Sequence, residues 1–118
     1  MTATSRSDLE SPLEQRLSVE TVGLDTLRAH VRVTGDLDVS TGAPLWAVLH
    51  SHLAAGRRYL RLDLSGVAFL DASALSGIVQ AHHDTLDQRG TLVLTGLTPN
   101  LDRALQLTGL DDVLFVVR

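Results

Sequence analysis

Few side chains in this sequence can carry chemistry, and the most pointed of them stand in one run, Leu70-Asp71-Ala72-Ser73-Ala74-Leu75. A carboxylate two residues ahead of a hydroxyl, at the start of an apolar helical pattern, has two uses. Asp71 and Ser73 can cap the helix, because a side-chain oxygen satisfies a first-turn amide at a worth of about 1 kcal/mol. Alternatively Ser73 can accept a phosphoryl group, which the unpaired amides and positive end of the helix dipole would hold. That group would add about −1.5 to −2 charges beside Asp71. A second polar cluster, with Asp36, Asp38, Ser40 and Thr41, lies upstream in Gly35–Thr41.

The other chemistry-bearing residues exclude more than they offer. His50 and His52 are two apart and His82 and His83 are adjacent, so neither pair faces one metal ion from a helix. There is no cysteine, hence no thiolate and no disulfide. No G-x-S-x-G elbow surrounds Ser73, and a chain without lysine has no P-loop. No nucleophile has a base in sight, so no catalytic residue, metal or cofactor is expected, and the chain is not read as an enzyme. The net charge is −4 and the ten arginines are scattered, which leaves no basic stripe for nucleic acid. Four aromatic residues in the whole chain offer no base-stacking platform. No apolar run approaches the ~20 residues that span a bilayer, and no secretory signal opens the chain. Membrane insertion is not expected, and the cytoplasm is the default location.

These residues need a scaffold to position them. Residues 1–15 are rich in Thr, Ser and charge and show no period, which predicts a disordered leader ahead of one domain at 16–118. Weak alternation over 17–22 and a turn at Gly23-Leu24-Asp25 precede a clear period of two through Leu27, Ala29, Val31 and Val33, a strand hairpin. Turn formers fill Gly35–Thr41, and a helix over 41–55 follows, capped by Ser40 or Thr41 and stopped at Gly56. Tyr59–Leu64 alternates again, Ser65-Gly66 breaks it, and a helix opens at Asp71 with Ala74, Leu75, Ile78, Val79, His82 and Leu86 on its inner side. A strand at 91–95, a helix at 100–108 through Leu101, Ala104, Leu105 and Leu107, and a strand at 113–117 complete the order ββαβαβαβ. The class is α/β, with a mixed sheet of about five strands and helices mainly on one face, since strands with one polar side are covered once. Trp46 is expected in the core.

Two motifs stand at the strand ends of this scaffold: Gly35-Asp36-Leu37-Asp38, and Asp63-Leu64-Ser65-Gly66-Val67-Ala68-Phe69-Leu70-Asp71-Ala72-Ser73-Ala74-Leu75. With Gly109-Leu110 near the C-terminus, they resemble the STAS family, anti-sigma factor antagonist type, whose members carry G-[DE]-L-D and D-L-S-x-V-x-F-[LM]-D-S-[ST]-G-L. The resemblance implies a domain that binds an anti-sigma factor with serine kinase activity, frees a sigma factor and so regulates transcription. It implies a partner face of Asp36, Asp38, Ser40, Thr41, Asp71, Ser73 and Ser76. Asp38 has an ordinary alternative, bonding nearby amides at the helix start. In the family a Ser directly after the Asp is the phosphorylated switch. Here Ala72 takes that place, Ser73 comes one residue later, and Ala74 replaces the family's Gly, so phosphorylation control is expected to be altered or lost. The alternative is a STAS subunit of a signalling assembly or transporter complex that works without phosphorylation.

Overall fold

Alternation decides the fold because it commits one face of each strand to the interior. In β2, Arg28–Leu37, residues Ala29, Val31 and Val33 are buried while Arg28, Arg32 and Thr34 are exposed. In β3, Tyr59–Leu70, the buried set is Leu60, Leu62, Leu64 and Val67. The computed structural model describes residues 17–118, so the expected leader at 1–15 lies outside the described residues. The remaining elements are β1 (Leu17–Leu24), α1 (Ala43–Ala54), α2 (Ala72–Asp87), β4 (Thr91–Thr95), α3 (Pro99–Thr108), a 3-10 turn (Leu110–Asp112) and β5 (Phe115–Val117). The five strands lie in the order β1-β2-β3-β4-β5. β1 runs antiparallel to β2, and the other neighbours are parallel. Each parallel crossover steps one strand in the same direction, and such crossovers are right-handed, so the three helices share one face. The mixed α/β sheet and its single covered side are as expected from the sequence.

The core between sheet and helices is leucine and valine with alanine and one isoleucine, and no aromatic ring is fully buried in it. Trp46 is half-buried against the core rather than inside it. Its indole lies over Gly77 of α2, where a methyl group would overlap the ring. A residue without a side chain therefore lets α1 and α2 approach.

Several boundaries differ from the sequence expectation, and each has a physical reason. Ser65-Gly66 does not break β3, which continues to Leu70 and pairs Thr34 with Gly66, Asp36 with Phe69 and Leu37 with Leu70. Register shifts between Arg32 and Thr34, and between Gly35 and Asp36, absorb the irregularity. A Cβ on Gly66 would stand 2.9 Å from the Thr34 hydroxyl and 3.1 Å from the Val33 carbonyl. Gly66 thus permits close strand approach instead of marking a turn. For the same reason Asp36 belongs to β2 and not to a loop. β1 extends to Leu24, and the hairpin turns on Asp25, whose carboxylate accepts from the Leu27 and Arg28 amides at 2.9 and 2.8 Å. α1 begins at Ala43 behind Gly42, with no side-chain cap from Ser40 or Thr41. Leu107 is 81% exposed and Leu86 is also at the surface, while Thr85 takes a buried position on α2. Thr85 manages this by donating its hydroxyl to the Ala81 carbonyl at 2.7 Å. The last strand starts at Phe115 because the 3-10 turn occupies the preceding chain.

Two buried histidines set how the fold responds to acid. His52 Nε2 bonds the Thr21 hydroxyl at 3.0 Å, and His82 lies edge-on to Phe115 with ring centroids 5.3 Å apart. The Nδ1 atoms of both are buried with no hydrogen-bond partner among the described residues. Burial, with Arg57 near His52 and His83 beside His82, holds both pKa values below the ordinary 6.5. The unfolded chain therefore takes up protons first as pH falls, and stability declines from about pH 6.5 downward to the folded values. Carboxylates contribute a separate window at lower pH, because hydrogen bonds from Arg118 hold Asp102 below 3.8 and backbone amides do the same for Asp25. Urea unfolding at pH 7.5 and pH 5.5 is expected to show lower stability at the acid value. Replacing both residues, His52→Gln with His82→Gln, is expected to flatten that difference, and an unchanged slope would refute the assignment.

Candidate functional site

The register of β2 against β3 builds the site. Leu37 pairs with Leu70, so the residues that leave the two strands, Asp38 and Asp71, emerge side by side. The Asp71 amide donates to the Leu37 carbonyl at 3.3 Å. Asp71 is extended, with φ −101° and ψ 177°, and caps α2 by accepting from the Ala74 amide at 2.8 Å. Its other carboxylate oxygen accepts from the Val39 amide at 3.3 Å. One side chain therefore joins the start of α2 to the loop that leads into α1.

That loop is organised from within. The Asp38 carboxylate accepts from the Ser40 and Thr41 amides at 2.8 and 3.2 Å, an Asx-type turn. The Thr41 hydroxyl accepts from the Asp38 amide at 3.0 Å and donates to the Asp36 carbonyl at 2.7 Å. Thr41 is buried, so it shapes the loop and offers no surface of its own. Asp36 and Asp38 are half-buried, while Ser40, Ala72, Ser73 and Ser76 are exposed.

The turn at the start of α2 has a clear division of labour. The cap bond belongs to Asp71, and Ser73 sits at the second helical position with its side chain at the surface. Successive helical residues are rotated by about 100°, so the Ser73 hydroxyl points away from the direction Ala72 presents. Ala72 shares its helix face with Leu75, Ser76 and Val79, by three- and four-residue spacing. With Thr108 at the end of α3 and Leu110 beyond it, that face lines a groove of about 350 Å³.

Two residues of this surface escape sequence reasoning. Val39 is 76% exposed and Phe69 53% exposed, although Phe69 falls in the apolar run Val67-Ala68-Phe69-Leu70. No sequence signal marks it, since Phe69 stands two residues after Val67, which is buried. Elsewhere, His50 bonds Asp84 at 3.0 Å, and no group of three or more potential metal ligands stands together among the described residues. No described helix is long and apolar enough to cross a membrane.

Asp71→Ala removes the acceptor for two amides at once. Loss of the cap costs about 1–2 kcal/mol, and chemical denaturation is expected to show a drop of that size. Asp71→Asn, which keeps an acceptor oxygen, is expected to recover most of it. Equal losses for both variants would mean that the cap is not the source.

Comparison with known proteins fits this geometry. Residues 20–117 match the family described as "Mlab, STAS domain". The anti-sigma-B factor antagonist of Listeria monocytogenes is 30% identical over 98 residues, which cover 83% of this chain and 86% of that protein. The chain belongs to the STAS family of anti-sigma factor antagonists. The anti-sigma-B factor antagonist of Staphylococcus aureus is 31% identical over 101 residues, covering 85% of this STAS domain and 92% of the relative. A crystal structure of an anti-sigma factor antagonist from Mycobacterium paratuberculosis shares the STAS fold with a TM-score of 0.74 at 24% identity, covering 85% of this chain and 84% of that one. Within this fold the motif residues Asp38 and Asp71 come from different crossovers and meet at the adjacent ends of β2 and β3.

Proposed function

We propose that this STAS domain acts in the cytoplasm as a binding protein that docks onto an anti-sigma factor with serine kinase activity, frees the sigma factor and thereby regulates transcription, with no catalysis of its own. The observation that carries this is the Asp71 carboxylate, which bonds the amides of Ala74 and Val39 and so fixes two loops as one surface. On this reading the partner face comprises Asp36, Asp38, Ser40, Asp71, Ser73 and Ser76, with the buried Thr41 bonded to the Asp36 carbonyl and the Asp38 amide beneath the loop.

Ala72 alters the control of such a complex. Phosphoryl transfer needs an oxygen nucleophile in line with the donor phosphate, and an alanine at the family's acceptor position has none. Ser73 offers a hydroxyl, but on a different side of the helix. The domain therefore docks without being switched off by the usual modification. Titration calorimetry against purified anti-sigma factors of the serine kinase type tests the docking, and absence of any complex would sink it. Intact mass after incubation with such a kinase and ATP tests the control. No added phosphoryl group is expected, and a mass gain lost in Ser73→Ala would instead assign the switch to Ser73.

Ala72 also favours a second reading, a STAS subunit held in a signalling assembly or at a transporter's cytoplasmic side. A stable complex with such an assembly, and none with an anti-sigma factor, would select it.

A further inference from the structure

The groove beside the docking surface has a chemistry of its own. Its walls are the methyl of Ala72 and the half-buried side chains of Leu75, Val79 and Leu110, with the exposed Ser76, Gln80 and Thr108 at the rim. Among the described residues, no cationic or anionic side chain lines it. Leu75, Val79 and Leu110 pack against the core with their inner surfaces, so their outer surfaces are held in place by the fold. Ala72 and Ser76 belong both to this groove and to the docking surface, which makes the two continuous.

Acidic residues flank the groove, and the Arg118 cation that pairs with Asp102 stands near Asp111. Asp36 and Asp38 stand where β2 ends and Asp71 where the adjacent β3 gives way to α2, and Asp111 and Asp112 directly follow Leu110. The whole chain carries −4, which disfavours a second copy as the occupant and favours a cationic one. We infer that the groove between α2 and the end of α3 receives an apolar side chain, leucine or phenylalanine in kind, carried on a positively charged segment of the anti-sigma partner. The inference rests on the docking function proposed above. It gives that interface a dry centre, where binding energy concentrates, and an acidic margin that orients the approach.

The test uses the full chain and an anti-sigma factor of the serine kinase type that binds it. Val79→Asp places a charge in the groove wall, and Ser76→Phe fills the groove from an exposed position with little demand on folding; far-ultraviolet circular dichroism and a thermal melt verify both folds. Each variant is expected to weaken binding at least tenfold, which corresponds to about 1.4 kcal/mol, and wild-type affinity is expected to fall as salt is raised. If wild type binds and both folded variants bind as tightly, the groove is outside the interface and this inference is overturned while the docking function stands. If no anti-sigma factor binds wild type, the docking function falls and the groove assignment with it. If wild type sediments as a dimer that Ser76→Phe dissociates, a second copy is the occupant and the inference is likewise overturned.

Discussion

Ala72→Glu is expected to abolish docking while leaving the fold intact. Position 72 is exposed at the first residue of α2. A carboxylate there meets the positive end of the helix dipole, worth about 0.3–1 kcal/mol in its favour, so the melting temperature is expected to hold or rise slightly. In the complex the same group would have to leave water at the mouth of a groove walled by Leu75, Val79 and Leu110, with only the uncharged Ser76, Gln80 and Thr108 at its rim. An unpaired charge buried in this way costs several kcal/mol. About 3 kcal/mol is already a hundredfold loss of affinity, and calorimetry is expected to show at least that. Ala72→Ser is the complementary variant. It restores an oxygen at the family's acceptor position, is expected to bind as wild type does, and is expected to gain one phosphoryl group from the partner kinase and ATP. Tight binding by folded Ala72→Glu would remove position 72 from the interface.

Gly90→Ala is expected to be among the most damaging single substitutions to stability. A methyl group at 90 would overlap the carbonyl of Arg58, and the three atoms it meets first all belong to the backbone. That carbonyl accepts the Thr91 amide at 2.8 Å, the bond that seats the start of β4 beside β3. No side chain can swing aside, so either the turn after α2 or the entry to a central strand must shift. Overpacking of this kind costs about 1–3 kcal/mol where neighbours yield and more where they do not. About 3 kcal/mol or more is expected here, a large share of the 5–15 kcal/mol typical of a domain. Gly109 supplies the calibration. It has φ +76° and nothing within 4 Å of a would-be Cβ, so Gly109→Ala pays only for backbone conformation, about 1 kcal/mol. Urea midpoints with unchanged m-values would verify the ranking. A Gly90→Ala loss no larger than that of Gly109→Ala would show that the β3–β4 entrance is more pliant than its close approach implies.

The fold was legible because its strands obey a strict two-residue period. Ala29, Val31 and Val33, then Leu60, Leu62 and Leu64, are all buried. Glycines were harder, since a lone glycine does not reveal whether it allows a turn or a close approach. Gly66 was read as a strand breaker and is a strand contact; Gly77 and Gly90, which seat Trp46 and Arg58, leave no local pattern. Helix faces blurred at their margins, where Leu86 and Leu107 are exposed because leucine tolerates a helix surface and periodicity alone does not weigh burial. At the site, the capping role of Asp71 was visible from its place before an apolar helix. Its bond to Val39 was not, because it depends on the pairing of Leu37 with Leu70 across separate crossovers. The loop bonds of Asp38 follow from its residue type, whereas the burial of Thr41 is a tertiary fact.

The carboxylate of Asp71 has a kinetic consequence. Because it holds amides from two loops before any partner arrives, contact need not order the surface first. Encounters between such ready-made surfaces proceed at about 10⁵–10⁷ M⁻¹s⁻¹, and differences in affinity appear mainly as differences in residence time. If the domain docks as proposed, a face held together before contact and an alanine at position 72 would let it compete for an anti-sigma factor by abundance and dwell, so the cell would set its effect through synthesis and turnover of the chain.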